Sequence, residues 1–303
     1  MRIDAAHLHA QRRAGLLAGL GAYALWGVLP LYFKLLPGVS AVEMVAHRVV
    51  WSVAFLALVL AGYRLFPALL DALRRPRIVG ALLLSAVLIA VNWLVYVWAV
   101  ATDHVVAASL GYFLNPLVNV LIGTLMLKET LRRGQLVAVL VAAFGVALLA
   151  MGEIQTLWIS LTLATSFAFY GLVRKLTPVP SAVGLMIETL LLTLPSLLAL
   201  GWIAQHGGLG FGRDAPSTAL LIGLGAVTSV PLILFAMAAR VLPMVTLGIM
   251  QYVAPTLQFL SGVLILGEHL SPERWASFLL IWAALALFVG DSLRGARQAR
   301  AAA

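Results

Sequence analysis

Several stretches of this sequence set ionisable or hydrogen-bonding side chains at helical spacing inside otherwise apolar runs. Glu43 and His47 stand four residues apart, so a carboxylate and an imidazole share one helix face, with Arg48 and Trp51 following. Arg48 suits two kinds of role: a charge neutralised by a carbonyl or by Glu43, or a functional cation that anchors an anionic substrate group or forms part of an outer gate. His47, whose unperturbed pKa is about 6.5, is a candidate for proton coupling or gating. Glu188 is a lone carboxylate in a later run, a candidate carrier of a proton or cation, against the alternative of a packed or ion-paired acid. Asn92 and Tyr96 lie one turn apart, with Trp93 and Trp98 beside them as lipid-facing or packing aromatics. Ser109, Tyr112, Asn115 and Asn119 fall on one face of another helix, where Pro116 loosens the backbone next to Asn115. Such a face lines either a polar cavity or a seam between helices.

This chemistry is that of binding and relay rather than bond-breaking. The chain has no cysteine, so thiolate metal sites and cysteine nucleophiles are out of reach. Its six His residues include no HExxH spacing, its carboxylates are scattered, and it has no phosphate-binding P-loop. We therefore expect no catalytic residue, metal, cofactor or direct ATP drive. The net charge of +9 comes in short clusters between apolar runs, not in one patch, so nucleic acid is not an expected partner. The expected partners are the lipid bilayer and a small-molecule substrate. The alternative, a channel or a non-transporting membrane partner, lacks both a ring of pore charges and a substantial soluble domain in this sequence.

Positioning these groups requires membrane-spanning helices. Of the 303 residues, 63% are hydrophobic and only 10% charged, with a mean hydropathy of +1.05; soluble domains carry about a quarter charged residues. Crossing the bilayer core takes about 20 mostly apolar residues. Qualifying segments lie near 14–33, 41–62, 78–99, 104–126, 134–151, 156–173, 182–204, 217–236, 244–266 and 274–290. Arg12 and Arg13 before the first of them resemble the start of a signal peptide, but the apolar run is long enough to stay as a helix. An N-terminus inside the cell assigns sixteen of the 20 Lys and Arg residues, among them Arg74, Arg75, Arg77, Arg174, Lys175 and Arg240, to the cytoplasmic side. Lys34, Arg213 and Arg274 fall outside, and Arg48 falls within a span. This predicts an all-α integral membrane protein of ten spans in the inner (cytoplasmic) membrane, both termini cytoplasmic. Positive-inside placement sets topology; it does not set cargo, direction of flux or oligomeric state.

The sequence also repeats. A shift of 139 residues carries Pro116, Gly123, Leu125, Leu127, Glu129 and Leu131 onto Pro255, Gly262, Leu264, Leu266, Glu268 and Leu270. A looser match joins Tyr23, Trp26 and Gly27 to Phe167, Tyr170 and Gly171, which makes Trp26 and Tyr170 candidate cavity walls. Two five-helix repeats follow, 1–152 and 153–303. Five is odd, so the second copy is inverted, the architecture of many secondary transporters. The shift relates Tyr112 to Gln251 and Asn119 to Gln258, so two equivalent helices present polar faces. Glu129 and Glu268 sit where a span meets a loop and are read as helping to cap the next helix. Pro30, Pro195 and Pro231 lie within spans as kinks or hinges.

The strings Ala46-His47-Arg48-Val49-Val50-Trp51-Ser52, Ser109-Leu110-Gly111-Tyr112-Phe113-Leu114-Asn115-Pro116-Leu117-Val118-Asn119 and Ser166-Phe167-Ala168-Phe169-Tyr170-Gly171-Leu172-Val173-Arg174-Lys175 resemble the EamA branch of the drug/metabolite transporter superfamily. The resemblance continues through Ile187-Glu188-Thr189 and Gln251-Tyr252-Val253-Ala254-Pro255-Thr256 and so covers nearly the whole chain. It implies ten helices, cytoplasmic termini and movement of small organic metabolites or drugs, amino-acid-like or aromatic compounds among them, across the bacterial cytoplasmic membrane.

Overall fold

The computed structural model describes residues 5–102, 104–150, 154–264 and 272–301. They form α1 (Ala5–Phe33), α2 (Ala41–Gly62), α3 (Phe66–Leu73), α4 (Pro76–Ala101), α5 (Val105–Leu121), α6 (Arg133–Ala150), α7 (Leu157–Leu176), α8 (Ser181–His206), α9 (Ala215–Val241), α10 (Met244–Gln251), α11 (Val253–Leu264) and α12 (Pro272–Ala301). Among the described residues the secondary structure is entirely helical. Seven helices (α1, α2, α4, α7, α8, α9 and α12) are long and apolar enough to cross a bilayer. The remaining expected segments are occupied by the shorter α5 and α6 and by the α10–α11 pair.

Local chemistry sets several boundaries. Ser40 caps α2, its hydroxyl accepting from the Glu43 amide at 3.2 Å. Asp214 caps α9 in the same way, accepting from the Ser217 amide at 2.7 Å; that bond holds its carboxyl below the usual carboxylate range. Pro30, Pro116, Pro195 and Pro231 all lie inside helices. The single span expected over 244–266 is instead broken at Tyr252, between α10 and α11. Pro255 lacks the amide that would continue the ladder, and its ring crowds the carbonyl of Gln251, four residues back. The loop expected after α2 contains α3, started by Pro67 in its first turn. The span expected to run to residue 126 leaves α-helix at Leu121 and ends in a π turn, Ile122–Met126.

The chain forms two compact units, each drawing on both halves of the sequence: residues 1–97 with 169–242, and residues 98–168 with 243–303. In the first, α1 packs on α9, and α2 packs on both α8 and α9. Backbones approach closely there, since a Cβ on Gly225 of α9 would strike the main chain of Trp51, and the Ser52 hydroxyl donates to the Gly225 carbonyl at 3.2 Å. Small residues permit this kind of contact between membrane helices, which have no hydrophobic effect to drive them together. In the second unit, α6 packs on α12 and α5 on α10. Its core holds Leu110, Phe113, Val120, Val245 and Ile281, with Phe113 edge-on to Phe278 at 5.3 Å.

Glu129 has a different partner from the one its position implies. It does not cap α6, which follows it; its two carboxylate oxygens accept from the amides of Met244 at 2.7 Å and Val245 at 2.9 Å, at the start of α10. Lys128, at φ 55°, makes the left-handed turn from which Glu129 extends, and Gly123 leaves room for the carboxylate, which a Cβ there would hit. Pro243 offers α10 no side-chain cap of its own, so the orphan amides are satisfied from across the unit. We expect Glu129→Ala to cost about 1–2 kcal/mol and Glu129→Gln less, read as the loss of stability on detergent-micelle denaturation. Glu268 and the side chain of Ser109 lie outside the described residues.

Candidate functional site

The site is best built from Glu188. It lies on α8 with 2% exposure, and of the two readings open from the sequence it is the ion-paired acid. Arg174, also on the apolar inside of the unit at 3% exposure, donates from Nη1 to Glu188 Oε1 at 3.2 Å and from Nη2 to the Ser181 carbonyl at 2.7 Å. The Ser85 hydroxyl of α4 donates to the same carboxylate oxygen, and the Tyr170 hydroxyl donates to Oε2 at 3.4 Å. Gly184 stands one turn before Glu188, where a Cβ would overlap the Arg174 guanidinium. That missing side chain lets Arg174 lie along α8 and reach the acid. Arg174 Nε is buried without a hydrogen-bond partner among the described residues, so the cation rests on the Glu188 carboxylate and the Ser181 carbonyl.

Arg174, which the count of cytoplasmic charges includes, is no free loop charge but the buried partner of Glu188. α7 continues to Leu176, because Pro178 is what stops it, and Arg174 is still one turn inside. Its neighbours in that count are structural too. Lys175 Nζ donates to the carbonyls of Ala239 (3.1 Å) and Leu242 (2.6 Å), closing the end of α9. Arg240 Nη1 donates to Val179 O at 2.8 Å.

A cavity of about 20 Å³ opens beside Glu188 and is lined also by Arg48, Trp93, Tyr170 and Thr228. That is room for about one water. Arg48 Nε donates to Thr228 Oγ1 at 2.9 Å, and its guanidinium lies 4.8 Å from the Trp93 ring centroid and 5.9 Å from that of Phe33. The structure thus turns Trp93 from a packing or belt aromatic into a partner of the intramembrane cation. Tyr170 stacks on Phe235 at 6.0 Å, and Trp26 and Tyr23 complete that aromatic group at 5.7 and 6.3 Å from Phe235. Asn92 is buried and Tyr96 half-buried on α4.

His47 belongs to a neighbouring cluster at the start of α2. It sits 3.7 Å from Glu43, as the four-residue spacing implied, and stacks on Phe211 at 5.0 Å. Glu43 itself accepts from the Phe211 amide at 3.0 Å. The loop between α8 and α9 is thereby fastened over this end of the unit. In the second unit, Asn119 Nδ2 donates to Gln251 Oε1 at 2.9 Å and to Asn115 Oδ1 at 3.3 Å, tying α5 to α10. A Cβ on Gly248 would collide with the Pro116 carbonyl, which explains how the two helices come close enough for that bond. Tyr112 and Gln258 are half-buried on α5 and α11.

A model of the EamA-like transporter family matches residues 13–151. The chain is 47% identical over 292 residues to Protein RarD of Streptomyces exfoliatus, covering 96% of this chain and 93% of that one. It is 45% identical over 296 residues to an uncharacterized transporter of Pseudomonas aeruginosa, covering 95% and 97%. Protein RarD of Escherichia coli is 43% identical over 291 residues, covering 95% and 98%. A protein crystal structure only 19% identical matches with a TM-score of 0.70, over 90% of this chain and 96% of that one, a likeness of fold. Full-length identity at this level, on a frame of long apolar helices, makes this chain a multi-pass membrane protein that belongs to the RarD family of EamA-like transporters within the drug/metabolite transporter superfamily.

Proposed function

We propose that the protein is a secondary transporter that moves small organic metabolites or drugs, amino-acid-like or aromatic compounds first among them, across the cytoplasmic membrane by alternating access. The observation that carries this reading is the meeting of Arg48, Tyr170 and Glu188, the last paired with Arg174, on one small cavity among long apolar helices. Intramembrane charges are costly and are kept where they bind or move something. Arg48 anchors an anionic substrate group, and Trp93, Tyr170 and Trp26 supply aromatic walls. Glu188 couples or gates, because protonating it would release Arg174. His47, under Phe211, gates the near end of α2. Asn92 and Tyr96 are further candidates for substrate contact within the first unit, and Tyr112, Asn115, Asn119, Gln251 and Gln258 are candidates within the second. With room for about one water, the cavity is in a closed state, and substrate enters when helices shift about Pro195 and Pro231.

Ten spans in two inverted repeats, 1–152 and 153–303, with both termini cytoplasmic, form the frame for that motion. Support comes from the packing within each unit. Helices related by the repeat lie against each other: α2 on α8, α5 on α10, and α6 on α12.

Uptake into proteoliposomes tests the proposal. Labelled amino acids and aromatic carboxylates are screened with and without an imposed pH gradient. The expected result is saturable, protein-dependent accumulation of at least one compound that responds to the gradient. Non-saturable flux that follows only the solute gradient would favour a channel instead.

A further inference from the structure

The three arginines Arg74, Arg75 and Arg77 have no part in the cavity described above, and a bias of charge across the membrane does not require them to converge. They do converge, around the start of α4, at one end of a groove of about 870 Å³ that runs between α4 and the end of α7 within the first unit. Apart from Thr177 the rest of the groove is apolar, and Leu84 is 53% and Leu176 62% exposed. A cleft of this size between two long apolar helices, charged at one end and largely apolar beyond it, suits an amphiphile.

Its place relative to the bilayer follows from its neighbours. α2 ends at Gly62 and α4 begins at Pro76, and both are of membrane-crossing length and composition. Arg74 and Arg75 between them, and Arg77 in the first turn of α4, are therefore at a membrane surface. α3, between the same two helices, buries Leu69 and Ala72 while Phe66, Leu70 and Leu73 stay exposed, the pattern of a helix lying in the interface. Arg75 is occupied by Asp71 at 2.7 Å. Among the described residues neither Arg74 nor Arg77 has a carboxylate within 4.0 Å, and the positive end of the α4 dipole adds to their field.

A free inorganic anion would satisfy the arginines and leave the apolar wall wet; an acyl chain alone would cover the wall and leave the charges. A zwitterionic headgroup would bring an ammonium against the guanidinium groups of Arg74 and Arg77, which Asp71 does not neutralise. We propose that the groove binds one anionic phospholipid, its phosphate against Arg74 and Arg77 and an acyl chain along Leu84 and Leu176. Bidentate guanidinium–phosphate pairing and the attraction of basic clusters for anionic lipid supply the selectivity. The site needs only that α2 and α4 cross the membrane, so it stands apart from the transport proposal.

Native mass spectrometry of the full-length protein, delipidated in detergent and titrated with phosphatidylglycerol or with phosphatidylcholine of the same chains, tests it. Phosphatidylglycerol is expected to bind at least about tenfold tighter than phosphatidylcholine. Arg74→Gln/Arg77→Gln should erase that preference, Arg74→Lys/Arg77→Lys should keep most of it, and Leu176→Gln should weaken phosphatidylglycerol without altering the headgroup preference. All three variants change exposed side chains, and an unchanged melting temperature verifies their fold. Equal affinity for the two lipids, wild-type affinity in the double Gln variant, or displacement of phosphatidylglycerol by millimolar inorganic phosphate would each overturn the proposal.

Discussion

Arg174→Met is expected to destabilise the protein by roughly 3–5 kcal/mol, because it removes one partner of a buried pair and strands the other. Both members are almost wholly buried, and Glu188 would keep only the Ser85 and Tyr170 hydroxyls. Two hydroxyl donors offset part of the cost of an ionised carboxylate, and the remainder is met either by unfolding or by protonation. The double variant Arg174→Met/Glu188→Gln removes both charges, and apolar or neutral replacements of a buried pair are often close to neutral. It should recover most of the lost stability in denaturant titrations while its uptake no longer responds to a pH gradient. Were Arg174→Met to unfold at the wild-type midpoint, Glu188 would have to be neutral in the native protein and the pair would contribute nothing.

Arg48→Ala is expected to leave the fold intact and to reduce uptake of an anionic substrate about tenfold to a hundredfold, the equivalent of one charged hydrogen bond of roughly 1.5–3 kcal/mol. Arg48 is half-buried, and losing its bond to the Thr228 hydroxyl costs less than breaking the buried Arg174–Glu188 pair. Arg48→Lys should rescue only in part. A lysine keeps the charge but loses the flat guanidinium that lies over Trp93 and the Nε–H that meets Thr228. Uptake by Arg48→Ala with wild-type KM and maximal rate would remove Arg48 from the substrate path. The two variants separate the groups: Arg174 acts through stability and coupling, Arg48 through affinity.

Much of the frame was legible beforehand. The expected boundaries of the second span, 41–62, are those of α2, because its apolar run is bounded by an N-cap serine at one end and by Gly62 and the basic Arg64 turn at the other. Spacing alone also brought Glu43 to His47 and Asn115 to Asn119, since residues four apart in a helix are neighbours whatever surrounds them. The break at Tyr252 was within reach: Pro255 is visible in the sequence, but its equivalent Pro116 stays inside α5, so proline marks where a helix can break without deciding that it does. Arg174 could have been found from Pro178, which places the end of α7 beyond it.

No comparable signal pointed to Ser85, Thr228 or the true partner of Glu129. Ser85 is 103 residues from Glu188, Thr228 is 180 from Arg48, and Glu129 is 115 from Met244. A polar residue in an apolar helix announces that it needs a partner, and its own helix cannot say which one.

Membrane residence and helical form were determined by the sequence itself. In lipid each segment must satisfy its backbone hydrogen bonds within itself, so the requirement is local and readable from runs of about 20 apolar residues. The pairing of those helices into two units that each take segments from both halves of the chain, the neutralisation of Arg174 by Glu188 across Gly184, and the capping of α10 by Glu129 were decided only by tertiary structure. Those contacts depend on which helix faces lie against each other, and in a bilayer nearly every face is apolar enough to meet any other. What selects among them is close approach at small residues and the satisfaction of a few buried charges, both of which exist only once the helices have packed.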